Sequence, residues 1–389
     1  MDLSYIINEL GEDRDAYFNA VSPPIVQTSN FAFKKVDDLR LAFEDEMSGY
    51  LYSRGLNPTV DILRKKLAAL DGAEDALVFN SGASAIFAAV FANVQSGDHI
   101  VSVRQPYTWA WKMFDNILPR FGVSTSYVDG TNTKNFEAAL RPDTKLIYLE
   151  SPNSLTYELQ DLAAIAALAK PRGIVTVIDN SYCTPLYQRP VELGIDLAMQ
   201  TTTKYINGHS DTVGGVLSGT HAMMKKIFDS EYLNMGIGTS PFNAWLMIRG
   251  LRTLPARLER ITATTRQLLQ FLQQHPAFEE VIFPLDPSFP QYDLAQRQMS
   301  GACGLVTVVL KANTRSGIVT FCESLRHILM AVSWGGHESL ALPKCASLTD
   351  AQFDPANREH RMIRFYFGLE EPAYLEADIR QALANAGLH

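Results

Sequence analysis

From residue 76 to residue 199 the chain alternates short apolar runs with longer stretches carrying an apolar stripe at helical spacing, a rhythm that few architectures accommodate. Residues 76–79, 99–103, 146–149, 174–178 and 197–199 read as buried strands, because each is short and aliphatic. Residues 83–94 and 161–170 read as helices between them. Strands joined through helices return in the same direction, so they form one largely parallel sheet with helices on both faces. The expectation is an α/β fold.

The flanks complete the outline. Residues 1–45 lack a sustained periodicity until Val36 and read as an extended arm. Asn57 followed by Pro58 gives a cap and a first helical position, and Val60, Leu63, Leu67 and Leu70 carry the stripe to a stop at Asp71-Gly72. Beyond Gly215, helices are expected at 221–233 and 241–274, a proline-rich stretch at 283–290, and strands at 304–310, 331–333 and 362–367. The reading is an arm over 1–45, a large domain over 46–235 and a smaller C-terminal α/β domain over 236–389.

Composition narrows the partners. A net charge of -8 without a basic cluster argues against a nucleic-acid footprint. No window approaches ~18 uninterrupted apolar residues, so no membrane span is expected. Cys183, Cys303, Cys322 and Cys345 show no metal or redox spacing, which fits reduced thiols and a cytoplasmic location. The expected partner is a small molecule.

Ligands of open α/β sheets bind outside the carboxyl ends of the strands, so the residues that end each strand matter most. The run 197–199 ends in Thr201-Thr202-Thr203-Lys204, and the run 174–178 ends in Asp179-Asn180. Asn80-Ser81-Gly82-Ala83 closes a strand and opens a helix, where free amides and small residues favour an anion. Tyr107 follows another strand, and Arg364 lies inside an apolar one, where it needs a carboxylate partner. Singly, each has an ordinary structural reading as a solvated lysine, a capping aspartate, a tight turn, a packing tyrosine or an internal ion pair. Together they offer an amine that condenses with an aldehyde, a carboxylate that holds a pyridinium proton, and a cradle for one phosphate. That set is what pyridoxal 5'-phosphate requires.

The same residues carry a family resemblance. Tyr52-Ser-Arg54-Gly-Leu-Asn57-Pro58-Thr59, Ser81-Gly82, Asp179-Asn180, Thr201-Thr-Thr-Lys204-Tyr-Ile-Asn-Gly-His-Ser-Asp-Thr-Val-Gly-Gly215, Arg249-Gly-Leu-Arg-Thr-Leu254, Ser333-Trp-Gly-Gly-His-Glu-Ser339 and Ile363-Arg364 to Glu370 resemble, in order, the pyridoxal-phosphate enzymes of cysteine and methionine metabolism. The resemblance runs from Gly11-Glu-Asp-Arg14 to the last helix. It implies an aspartate-aminotransferase-type fold (fold type I) in which Lys204 binds the cofactor aldehyde, Asp179 faces the pyridine nitrogen and Tyr107 stacks on the ring. Ser81, Gly82, Ala83, Thr201 and Thr203 would hold the phosphate; Tyr52 and Arg54 would reach the phosphate of a neighbouring subunit, which implies a homo-oligomer, expected as a tetramer built from two dimers. Arg364 would take the α-carboxylate of a small sulfur-containing amino acid, with Ser333 or Asn153 nearby, and Tyr52 or Tyr107 would exchange a proton with the sulfur end.

Within the family, Ser333-Trp334 and the 149–156 segment resemble the bacterial cystathionine β-lyases, so α,β-elimination is the leading expectation. Leu51 and Val332 give the expected distal pocket the apolar character of methionine γ-lyases, and the region of Trp109 departs from the usual pattern, so γ-elimination or γ-replacement stands as the alternative. An aminotransferase would share the lysine and aspartate. A ligand-responsive DNA-binding module would need a basic extension, and a nicotinamide-dependent dehydrogenase its glycine fingerprint; this sequence has neither.

Overall fold

A computed structural model describes residues 1–388 of the chain. The residues fall into two compact units: Met1–Asn153, Glu158–Asn207 and Asp211–Arg252 in the first, and Ser154–Tyr157, Gly208–Ser210 and Thr253–His389 in the second. The bounds of the second unit include position 389, whose structure is not described.

The first unit opens with α1 (Leu3–Asn8), a six-residue helix that the arm's irregular pattern did not foretell, and α2 (Val36–Glu44), which buries none of its residues. The helix α3 (Pro58–Asp71) begins as expected: Asn57 accepts the Thr59 N–H, Pro58 occupies the first turn, and Gly72 ends it at φ 68°. Its Leu63, Leu67 and Leu70 are fully buried, each contributing about 1.5–3 kcal/mol.

Seven strands form the sheet of this unit: β1 (Asp75–Phe79), β2 (His99–Val103), β3 (Ser124–Val128), β4 (Thr144–Glu150), β5 (Val175–Asp179), β6 (Leu197–Gln200) and β7 (Gly215–Gly219), in the order β1-β7-β6-β5-β4-β2-β3. The neighbours from β3 across to β6 pair in parallel, whereas β7 runs antiparallel to both β1 and β6. All strands but β7 therefore end at one edge. Along β4 the alternation of faces is plain: Leu146 and Tyr148 join the core with Ala85 and Ile86, while Ile147 and Leu149 join the one with Leu162 and Ile165. Apolar layers thus cover both faces, which is why the strands read as continuous apolar runs.

The second unit holds a five-stranded sheet of β8 (Phe278–Ile282), β9 (Leu305–Leu310), β10 (Leu329–Met330), β11 (Leu340–Pro343) and β12 (Met362–Tyr366), in the order β10-β11-β12-β9-β8. The strand expected at 331–333 is displaced to Leu329–Met330, because Ser333 adopts φ 83° and leaves the extended region. The 34-residue helix Pro241–Gln274 matches its expected span and carries Pro255 internally. Among the described residues no helix is long and apolar enough to cross a membrane, and all four cysteines are buried thiols.

Candidate active site

Five strand ends of the first sheet converge on one edge, and each contributes a residue with chemistry. After β1, Ser81 caps the helix α4 (Gly82–Phe91): its hydroxyl accepts the Ser84 N–H at 3.1 Å, and the Ser84 hydroxyl accepts the Ser81 N–H at 3.2 Å. This reciprocal cap leaves the amides of Gly82 and Ala83, the first two donors of the helix, for an outside acceptor. Gly82 is glycine for a packing reason, since a Cβ there would lie 2.7 Å from the Thr201 Cβ.

Beyond β6 the backbone turns sharply. The Thr201 and Thr203 hydroxyls both donate to the Gly214 carbonyl, at 3.1 and 3.2 Å, and the Gly214 N–H returns to Thr203 at 3.0 Å. Lys204 donates its backbone N–H to the Thr201 carbonyl. The loop that carries the lysine is therefore pinned at both ends.

Asp179 ends β5 and is buried, with one carboxylate oxygen accepting the Ser181 N–H at 2.9 Å. Burial pushes its carboxyl above the usual range, while the Ser181 hydrogen bonds and the charge of Lys204 pull it back. Such a carboxylate is stabilised by a cationic N–H, which a pyridinium supplies. Ser181 also accepts the Thr201 N–H at 2.8 Å, tying the aspartate to the start of the lysine loop. Glu150 ends β4 directly beside Asp179 in the ladder and accepts the Tyr107 N–H at 2.5 Å. Tyr107 heads the short helix α5 (Thr108–Lys112) with its side chain part-exposed. Burial, helped by the charges of Asp179 and Glu150, raises its phenol, so Tyr107 carries its proton at neutral pH.

Tyr52 and Arg54 are exposed, with the guanidinium 5.1 Å from the Tyr52 ring centroid. Asn153 is buried, its N–H on the Glu158 carbonyl. Trp109 is exposed beneath the Lys112 ammonium at 4.3 Å, and Leu51 is half-buried.

In the second unit, Arg364 lies buried in the middle of β12. It donates to the Ser154 carbonyl at 3.0 Å and the Ser333 carbonyl at 3.2 Å, with its guanidinium 4.9 Å from the Trp334 ring centroid. Val332 is exposed.

Glu150 and Ser181 are the residues that reading strand by strand passed over. Glu150 ends a buried run just as Asp179 does, and that shared position is the signal that finds it. The set of buried carboxylate, lysine, and paired first-turn amides behind a glycine that admits no side chain fits pyridoxal 5'-phosphate in its ring nitrogen, aldehyde and phosphate.

Comparisons with known proteins agree. The profile of the Cys/Met metabolism PLP-dependent enzymes matches residues 5–384. The chain is 38% identical to an L-methionine gamma-lyase of Pseudomonas deceptionensis over 94% of its length and 92% of that protein. It is 37% identical to the cystathionine gamma-lyase of Mus musculus, over 88% of this chain and 87% of that one, and 35% identical to an O-succinylhomoserine sulfhydrylase of Pseudomonas aeruginosa, over 92% and 89%. The solved structure titled metB from Corynebacterium glutamicum superposes with a TM-score of 0.90 at 31% identity, covering 99% of this chain and 98% of that one. The expected aspartate-aminotransferase-type α/β fold holds, and the chain belongs to the Cys/Met metabolism PLP-dependent enzymes, a family of pyridoxal-phosphate lyases and related enzymes.

Proposed function

We propose that this enzyme is a carbon–sulfur lyase that takes a thioether amino acid and releases a thiol from Cγ, with L-methionine as the model substrate. The observation that carries it is the lysine–aspartate pair at the carboxyl edge of the sheet, in a chain whose relatives include several γ-lyases. The apolar Leu51 and Val332 favour a thioether tail over the charged distal end of cystathionine.

Lys204 is the residue assigned to the cofactor aldehyde and, once released, to the proton on the substrate Cα and then to one on Cβ, whose removal is what lets the Cγ–S bond break. Asp179 keeps the ring nitrogen protonated. The amides of Gly82 and Ala83, with Ser81, Thr201 and Thr203, are assigned to the phosphate, and Tyr52 and Arg54 to the phosphate of a neighbouring subunit in a homotetramer. Bound pyridoxal phosphate supplies an electron sink for the negative charge left at Cα. Tyr107 covers the ring and, bearing its proton at neutral pH, donates to the departing sulfur. Arg364 holds the α-carboxylate with Ser333 or Asn153. The buried thiols suit a cytoplasmic enzyme.

Elimination from Cβ is the second reading, favoured by the Ser333-Trp334 motif. Incubation with L-methionine and, separately, L-cystathionine separates the two. 2-Oxobutanoate with a thiol and ammonia supports the γ reading, whereas pyruvate with homocysteine overturns it. Transfer of the amino group without ammonia release would make the enzyme an aminotransferase.

A further inference from the structure

The loop at 333–339 is unusually constrained. Ser333 sits at φ 83° and Gly335 at φ 89°, and the loop is then pinned at every residue that follows. The Gly336 carbonyl accepts the Tyr366 hydroxyl at 2.7 Å, the His337 carbonyl accepts the Leu369 N–H at 2.9 Å, and Ser339 donates its N–H and its hydroxyl to Glu370 at 2.7 and 2.8 Å. The remaining pin comes from far away in sequence. Ser210, itself at φ 57°, aims its hydroxyl between the two oxygens of Glu338, at 2.7 and 2.8 Å. The fit is close: a Cβ on Gly336 would come within 2.1 Å of the Ser210 Oγ and 2.4 Å of a Glu338 oxygen. His337 adds an imidazole 3.2 Å from the same carboxylate.

Non-glycine residues persist at positive φ only where their surroundings over-determine them, and such positions concentrate at functional sites. Ser333 is one, and its carbonyl accepts a hydrogen bond from Arg364. We propose that the Ser210–Glu338 pair is a positioning device for Arg364. By fixing the loop at Glu338 it holds Ser333 in its strained conformation, and Ser333 in turn aims the guanidinium. Ser210 lies six residues beyond Lys204, so the loop that carries the lysine also sets the arginine. The proposal rests on the assignment of Arg364 to the substrate carboxylate.

The test is kinetic and spectroscopic, on the holoenzyme. Ser210→Ala and Glu338→Ala should each raise KM for L-methionine about tenfold, leaving kcat within about twofold and the visible cofactor band unchanged. Glu338→Gln, which keeps an acceptor, should recover most of the loss. The double variant should be no worse than either single one, because the two side chains make one interaction. Inhibition by 3-(methylthio)propylamine, which lacks the carboxylate, should be the same in wild type and variants. Arg364→Lys run in parallel separates two failures. If it raises KM and Ser210→Ala does not, or if Ser210→Ala weakens the amine equally, the positioning role is overturned. If Arg364→Lys leaves KM unchanged, the carboxylate assignment falls and this proposal with it.

Discussion

Lys66 is fully buried, and its ammonium spends its three hydrogens on the Ile6 carbonyl at 3.1 Å, the Ile7 carbonyl at 3.0 Å and Glu12 at 3.0 Å. Ile6 and Ile7 belong to the last turn of α1, whose carbonyls have no partner within the helix. Lys66 on α3 therefore serves as the C-terminal cap of α1 and as a counter-ion. Replacing it with methionine keeps the apolar stem and deletes the charge. Losing one partner of a buried ion pair costs about 3–5 kcal/mol. Here Glu12 retains Arg252 at 3.0 Å and Arg14 at 3.4 Å, which places the expected cost at the low end, about 3 kcal/mol. Since about 1.4 kcal/mol is a factor of ten, Lys66→Met should raise the opening equilibrium of α1 on the order of 100-fold. Hydrogen exchange of the α1 amides, followed peptide by peptide, measures that directly. Glu12→Gln should be more damaging than Lys66→Met, because it leaves three cations around a neutral amide. Protection that changes less than about threefold in Lys66→Met would refute the reasoning.

Lys204→Ala should abolish both turnover and the visible absorption of the bound cofactor; retention of both would sink its assignment. Gly82→Ala, with a Cβ 2.7 Å from that of Thr201, should weaken retention of pyridoxal phosphate about tenfold, read as the cofactor concentration that restores half-maximal absorbance, without changing the circular dichroism of the fold. Asp71 is fully buried between the Gln200 amide and the Ser218 hydroxyl, both at 2.6 Å, and burial pushes its carboxyl up to about 7. Because the folded value lies above the unfolded one, its stabilisation is complete below about pH 4 and fades as pH rises through about 7, a span on the order of 4 kcal/mol. Asp71→Asn should remove that slope and be the more stable protein at pH 8, with Gln200 turned so that its oxygen, unpartnered in the native structure, accepts the new amide. Urea midpoints at pH 5.5 and 8 that move in parallel for both proteins would contradict it.

What was legible in the sequence follows from what a strand shows locally. Strands buried on both faces declare themselves as aliphatic runs, and 99–103 matches β2 to the residue. β3, Ser-Thr-Ser-Tyr-Val at the sheet edge, is only partly buried and has no such signature. β7, Gly-Val-Leu-Ser-Gly, is bracketed by glycines that read as loop, although its register with β1 and β6 admits little else. Lys204, Asp179 and Arg364 stood out because a charged group in or after an apolar run is costly without a purpose. Ser181 and Glu150 act on residues 20 and 43 positions away, and pairings of that kind exist only once the strands are side by side. Leu51, Trp109 and Val332, to which the β or γ outcome is only proposed to belong, carry no local pattern that describes their surroundings.

The antiparallel strand β7 has a consequence for the lysine loop. Because β6 and β7 are ladder neighbours, the segment between them is a closed loop, shut at its neck by the Thr202 N–H on the Gly214 carbonyl. Ser210, near its tip, is held in turn by Glu338 at 2.7 and 2.8 Å, so the loop that carries Lys204 is tied at its neck and again near its far end.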